Sequence, residues 1–226
     1  MTDTKLYIGN KTYSSWSLRG WLACKHANLS FEEILMPLDT DEFRHTMRAA
    51  SPTGCVPLLC HGETKVWDSL AIIDYVDHIT DGVSLWPDDR AAYGEAKSLC
   101  AEMHSGLTHL RGACPMNFRR KWTGLEMTKK VARDVTRVDS IWTETREKYG
   151  AGGNFLFGAF GAADIMFAPV VGRFDTYDLP RSAVSQAYMD AVFNHPLMKE
   201  WLAGAAEEAM IVAVDEIDPD TTVLGE

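Results

Sequence analysis

The sequence predicts an α/β domain followed by an all-α domain, and three observations lead there. Strand and helix signals alternate over roughly the first eighty residues. The segment Trp86-Pro87-Asp88-Asp89 interrupts the pattern, and no confident strand follows it. The 226 residues, 46% hydrophobic and 24% charged, suffice for one large or two small globular domains with a sizeable core.

Lys5-Leu6-Tyr7-Ile8 reads as a short apolar strand stopped by the turn pair Gly9-Asn10. Trp16 to Ala27 has helical spacing through Leu18, Trp21, Leu22 and Lys25, and Phe31 to Leu35 is a second strand. Val56 to Cys60 and Lys65-Val66-Trp67, joined through His61-Gly62, predict a hairpin. A helix starting near Ser69 carries Leu70, Ile73, Tyr75 and Val76 and fades at Asp81-Gly82. The order β-α-β, then β-β-α, is that of a compact mixed sheet with helices on its faces. Beyond a joint near residues 81–90, Arg90 to Leu110 reads as one long helix. Thr128 to Tyr149 sets Val131, Val135, Val138, Ile141 and Trp142 on one stripe. Helices follow at Ala162–Tyr177, Ser182–Phe193 and Pro196–Val212, the last opening on proline. The acidic tail from Asp215 reads as an extended wrap or a frayed end.

A formal net charge of −10 repels phosphate backbones, and Arg119-Arg120-Lys121 and Lys129-Lys130 are too short to offset it. Nucleic acid is therefore not an expected partner. No window approaches the roughly 18 apolar residues of a membrane span, and no apolar signal core precedes the first strand. The five cysteines, Cys24, Cys55, Cys60, Cys100 and Cys114, include no C-x-x-C pair. Reduced thiols in a cytoplasm are the expectation.

Three local features carry chemistry. Thr12-Tyr13-Ser14-Ser15-Trp16-Ser17 is a hydroxyl-rich turn before the first helix. Such residues cap helices, but four aliphatic hydroxyls in six positions exceed that need, and a helix N-terminus favours a developing anion. Val56-Pro57 heads a strand that proline would interrupt, so the choice lies between an edge-strand proline and a cis peptide. In the second case the backbone of Val56 is open to an extended peptide. Asp68-Ser69 opens a helix, with a serine at the N-cap suited to a carboxylate and an aspartate suited to an amine.

The turn, the X-Pro pair and Asp-Ser in this order resemble the N-terminal domain of cytosolic glutathione transferases. Pro52-Thr53-Gly54-Cys55-Val56-Pro57-Leu58-Leu59 followed by Asp68-Ser69-Leu70-Ala71-Ile72 is similar to that family's P-x-G-x-V-P-x-L … [ED]-S-x-A-I pattern. Ser14-Ser15-Trp16-Ser17-Leu18-Arg19 looks like the zeta-like (maleylacetoacetate isomerase-like) serine-type branch of bacteria. In the helical half, Phe155-Leu156-Phe157-Gly158 … Gly161-Ala162-Ala163-Asp164-Ile165 resembles the capping box that begins the central helix. The likeness spans nearly the whole chain. It implies a thioredoxin-like, glutathione-binding domain at residues 1–82 and an all-helical domain carrying the electrophile pocket at 90–226.

Carried over residue by residue, the resemblance implies glutathione as co-substrate, without a metal. Its cysteinyl backbone would pair with Val56 ahead of a cis Pro57, and its γ-glutamyl end would meet Ser69 and Asp68. The thiolate would be held by Ser14, with Ser15 and Thr12 next and Tyr13 weaker. The glycyl carboxylate would meet Arg48, His45 or Arg44 on the loop before Val56. Hydroxyls in place of a turn cysteine point to conjugation or isomerisation, with peroxidase activity open, rather than exchange through an enzyme thiol. A two-fold homodimer is implied as well.

Two departures stand out. Cys55 occupies a position that is often basic in this branch, which removes one anchor for glutathione. Gly161 replaces the usual Ser or Thr of the capping box, a change expected to cost about 0.5 kcal/mol. The seven histidines form no metal-binding spacing. The stretch from Arg111 to Trp122 reads either as a solvated loop or as the wall of an electrophile pocket. In the second reading Arg111, Met116, Phe118 and Arg119 face the substrate, and Arg111 or Arg119 pairs with a carboxylate. Glutathione-dependent catalysis and a binding or regulatory module with little activity are the two functions compatible with these residues.

Overall fold

The computed structural model describes residues 3–220 and 222–225. Strands β1 (Thr4–Gly9), β2 (Glu32–Met36), β3 (Leu58–His61) and β4 (Thr64–Trp67) form one sheet in the order β2-β1-β3-β4. β1 pairs in parallel with β2, Tyr7 opposite Ile34, and antiparallel with β3, Leu6 opposite Leu59. The hairpin β3–β4 turns at Gly62, whose φ of +58° favours glycine. Helices α1 (Ser15–His26), α2 (Asp41–Ala50) and α3 (Ser69–Ile79) complete the expected thioredoxin-like half.

Sequence reading found no α2. Its Thr40 cap accepts the Phe43 N–H at 3.1 Å, but Met47 alone is fully buried on it. An element anchored by one methionine, about 1.5–3 kcal/mol of burial, leaves only a faint apolar stripe. Arg44, His45 and Arg48 therefore stand on a helix and not on a loop.

The helical half comprises α4 (Arg90–Ser105), α5 (Thr108–Ala113), α6 (Lys129–Tyr149), α7 (Ala162–Thr176), α8 (Ala183–Asn194) and α9 (Pro196–Glu207). The predicted α6 stripe from Val131 to Trp142 is buried throughout; α6 packs against α5 and α8, and Trp142 meets Phe167 and Phe174 of α7. Of α7 only Asp175 is not fully buried, and α7 packs against α1 and α4, so one apolar core runs through both halves. Among the described residues, no helix is long and apolar enough to cross a membrane.

Two helix limits differ from expectation. The single helix Arg90–Leu110 is broken at Gly106-Leu107, with Leu107 in the left-handed region at φ +52°. The N-terminus of α5 is capped from α6, where Asp134 accepts the His109 and Leu110 N–H groups at 3.0 and 3.1 Å. A cap supplied from α6 has no local signature in the sequence. α9 stops at Glu207 instead of Val212, because the next carboxylate, Glu208, is held by the N–H groups of Lys11 and Thr12.

Gly161 has a steric reason. A Cβ there would lie 2.7 Å from the Leu85 carbonyl, which accepts the Ala162 N–H. The segment joining the two halves thus satisfies the helix start in place of a hydroxyl. Asp164 completes it, accepting from Gly161 and Leu156 at 2.9 and 3.0 Å. Burial raises the Asp164 carboxyl to about 6.

Candidate functional site

Two contiguous cavities lie beside the N-terminal ends of α1 and α3. A groove of about 430 Å³ is lined by Trp16, Thr53, Cys55, Val56, Pro57, Trp67, Asp68, Ser69 and His104. A second cavity, about 470 Å³, is bordered by Ser14 and Ser15, by Leu38 and Phe43, and by Arg111, Met116, Arg173 and Asp215. Trp16, Cys55 and Val56 border both.

The groove gathers two of the three predicted features, and of the hydroxyl turn only Trp16 borders it. The Val56–Pro57 peptide is cis. α1 approaches the proline closely, and a Cβ on Gly20 would meet the Pro57 ring at 3.1 Å. Val56 lies outside the β3–β4 register and makes no backbone hydrogen bond with another described residue. Asp68, not Ser69, is the N-cap of α3: its carboxylate accepts the Leu70 N–H at 2.8 Å. Asp68 holds φ +74°, an unfavourable conformation for a side-chain-bearing residue and of the kind that collects at binding sites. Ser69, first residue of the helix, is 1% exposed, and its hydroxyl has no partner among the described residues. An orphaned buried hydroxyl at a helix N-terminus is a place for a ligand oxygen.

His104 and Arg111 flank Trp16, a placement that the break between α4 and α5 produces. His104 meets the indole edge-on at 5.2 Å, and its Nε2 lies 3.2 Å from Asp68. The Arg111 guanidinium stacks 4.9 Å from the same ring and donates to the His104 and Gly106 carbonyls. Arg19 stacks on it at 4.5 Å, fully buried and without a carboxylate partner among the described residues. Burial first, and then Arg173 and Arg111, push its pKa down.

The hydroxyls of the turn divide into separate roles. Thr12 is buried, donates to the Ala205 carbonyl at 3.2 Å and borders neither cavity. Tyr13 donates to Glu216 at 2.7 Å, and burial followed by that carboxylate raises its pKa to about 12. Ser14 caps α1 by accepting the Ser17 N–H, and donates to the Ser17 hydroxyl at 2.7 Å. Ser15 borders the second cavity with a hydroxyl that has no partner among the described residues.

Of the other predicted residues, Arg111 and Met116 border the second cavity. Phe118 instead packs on Gly172, and Arg119 donates to the Glu208 carbonyl. Arg48 and His45 border neither cavity. Arg173, on α7, escaped sequence reading. It is 5% exposed, spends Nε and Nη1 on the Cys114 and Pro169 carbonyls, and leaves Nη2 without a partner among the described residues. Burial lowers its pKa to about 10, so it remains cationic at neutral pH. An arginine inside an otherwise apolar helix carries no local sign of which way it faces.

Residues 13–79 match the model of the glutathione S-transferase N-terminal domain, and residues 118–204 that of the C-terminal domain. The chain is 24% identical over 181 residues to a probable maleylacetoacetate isomerase of Caenorhabditis elegans, covering 78% of this chain and 81% of that protein. It is 25% identical over 197 residues to glutathione S-transferase L1 of Arabidopsis thaliana, covering 86% and 72% respectively. A crystal structure of a glutathione transferase homologue from Burkholderia, with bound glutathione, shares the fold. Its TM-score is 0.69 at 19% identity, over 90% of this chain and 98% of that one. With its sheet, its central helix α7 and both domain models matched over more than half its length, the chain belongs to the glutathione S-transferase family.

Proposed function

We propose that this protein is a glutathione-dependent transferase or isomerase that presents the glutathione thiol to a small electrophile. One observation carries the reading: the unpartnered, buried hydroxyl of Ser69 opens a helix in a groove that leads directly to Ser14 and Ser15. In this reading residues 1–82 bind glutathione, with the cysteinyl backbone along Val56 and the γ-glutamyl carboxylate on Ser69 and the α3 N–H groups. Asp68 and His104 receive the amine end. Ser15 donates to the thiolate, while Ser14, already committed to Ser17, holds the turn in shape. Residues 90–226 supply the electrophile cavity, where Arg111 and the free Nη2 of Arg173 favour a substrate bearing a carboxylate. Arg48, whose side chain lies beside Gly54 next to Thr53 and Cys55, is the basic group nearer the groove for the glycyl carboxylate; neither it nor His45 borders either cavity.

Thermal denaturation with millimolar glutathione tests this. A ligand at 100 times its dissociation constant adds about 2.7 kcal/mol of stability. No shift, together with no turnover of a panel of acidic electrophiles and peroxides, overturns it. A second reading, a glutathione-binding module with little catalysis, draws on the groove lining: among the described residues it includes no Lys or Arg, and Cys55 stands where a basic anchor is expected. A thermal shift without turnover selects that reading. We also infer a cytoplasmic, two-fold homodimer, for which light scattering in solution is the direct test.

A further inference from the structure

Cys55 stands at the junction of the two cavities, sharing that position with Trp16 and Val56. Its side chain is exposed, and its Sγ makes one long hydrogen bond, 3.5 Å, to the Thr53 carbonyl. The other thiols are placed differently. Cys24, Cys100 and Cys114 are buried, and burial pushes the thiols of Cys24 and Cys114 up to about 12. Cys60, half-buried on β3, borders neither cavity, and its pKa is also raised by burial. An independent observation says that the groove beside Cys55 is built for a polar ligand. The Ser69 hydroxyl, 1% exposed and without a partner among the described residues, lines the same groove.

We propose that Cys55 is a modification site, forming a mixed disulfide with glutathione disulfide that the groove itself delivers. The inference rests on the glutathione reading above and adds an acceptor on the protein. The Cys55 thiolate attacks one sulfur of the bound disulfide, and its electron pair forms the new S–S bond. The old S–S bond breaks, and the departing glutathione thiolate takes up the proton that Cys55 released. Cys55 is oxidised to the disulfide level and one glutathione sulfur is reduced, so no further oxidant is needed. The attached glutathionyl group fills the passage between groove and electrophile cavity, which closes the site. Excess glutathione thiol reverses the step and reopens it. Activity thereby follows the ratio of glutathione to its disulfide.

The test uses the full-length protein incubated with glutathione disulfide and read by intact mass and peptide mapping. One glutathionyl group on Cys55, released by dithiothreitol and absent from C55S, is the expected result. S-methylglutathione, a thioether that occupies the groove but cannot exchange, at about ten times its dissociation constant should slow the adduct about tenfold by mass action. An adduct on Cys60, no adduct at all, or an adduct on Cys55 formed equally fast with the thioether present each overturns the proposal. The thermal shift of wild type and C55S with S-methylglutathione separates the two readings. A shift without groove-dependent adduct removes the Cys55 inference alone. Absence of a shift in both proteins removes the glutathione reading, and the groove-delivered disulfide with it.

Discussion

Glu208 accepts the backbone N–H of Thr12 at 2.9 Å across 196 positions of sequence, and takes that of Lys11 with its other oxygen. The hydroxyl turn at the mouth of the site is thus clasped from the end of α9. Trp201 donates to the Lys11 carbonyl and Thr12 to that of Ala205, so three residues from the far end of the chain fix one turn. E208A leaves two N–H groups without their carboxylate and should lower stability by about 1–3 kcal/mol. Denaturant midpoints measure it; E208Q, which keeps one acceptor, should fall between E208A and wild type.

The division of labour between Ser14 and Ser15 is open to titration. S15A should move the titration midpoint of glutathione's thiol in the complex up by about 1–2 pH units, the equivalent of one hydrogen bond to a charged group. S14A removes the α1 cap and should lower stability by about 1 kcal/mol, with a smaller change in thiol acidity. Ultraviolet absorbance of the thiolate reads the first quantity, and the reverse order would reassign the donor to Ser14.

Ser69 should behave in opposite directions in the free and bound protein. Its buried hydroxyl lacks a partner among the described residues, so S69A should leave the free protein as stable as wild type or up to about 1 kcal/mol more stable. Losing a hydrogen bond to a carboxylate should at the same time weaken glutathione binding by about tenfold or more. Calorimetry on the same two proteins measures both.

Arg173 should sort substrates by charge. R173M retains roughly the length of the side chain but removes a guanidinium at the cavity whose Nη2 has no partner among the described residues. KM for a carboxylate-bearing electrophile should rise about 10- to 100-fold, with little change for a neutral one. Equal losses for both would mark Arg173 as a packing residue.

Acid should loosen the contact between the α8–α9 junction and the loop before α7. His195 stacks on Phe160 at 3.9 Å, and His26 meets the same ring edge-on. Burial, then the neighbouring His26, lowers the His195 pKa from 6.5 to about 4. A lowered value means that the neutral ring belongs to the folded state, so its contribution is present above pH 6.5 and is lost as pH falls towards 4. Partial exposure limits the effect to about 1–2 kcal/mol. Urea midpoints across that window should decline less steeply in H195N than in wild type.

Much of this protein is legible in its sequence because the signal is local. The buried stripe of α6, the alternation of strand and helix ahead of residue 80, and the hairpin at Gly62 each reside in a dozen or so neighbouring residues. Val56-Pro57 and Asp68-Ser69 were readable for the same reason, since a ligand groove written in backbone needs particular residues in fixed order. Other features depend on partners brought together only by folding. The break before α5 is capped by Asp134, α9 ends where the turn captures Glu208, and Gly161 is dictated by the Leu85 carbonyl. Only the packed structure turns Arg173 into the cavity, commits Thr12 to Ala205 and leaves the Ser15 hydroxyl without a partner among the described residues. Side-chain hydrogen bonds over such separations are satisfied in three dimensions, and nothing in a one-dimensional spacing reports them.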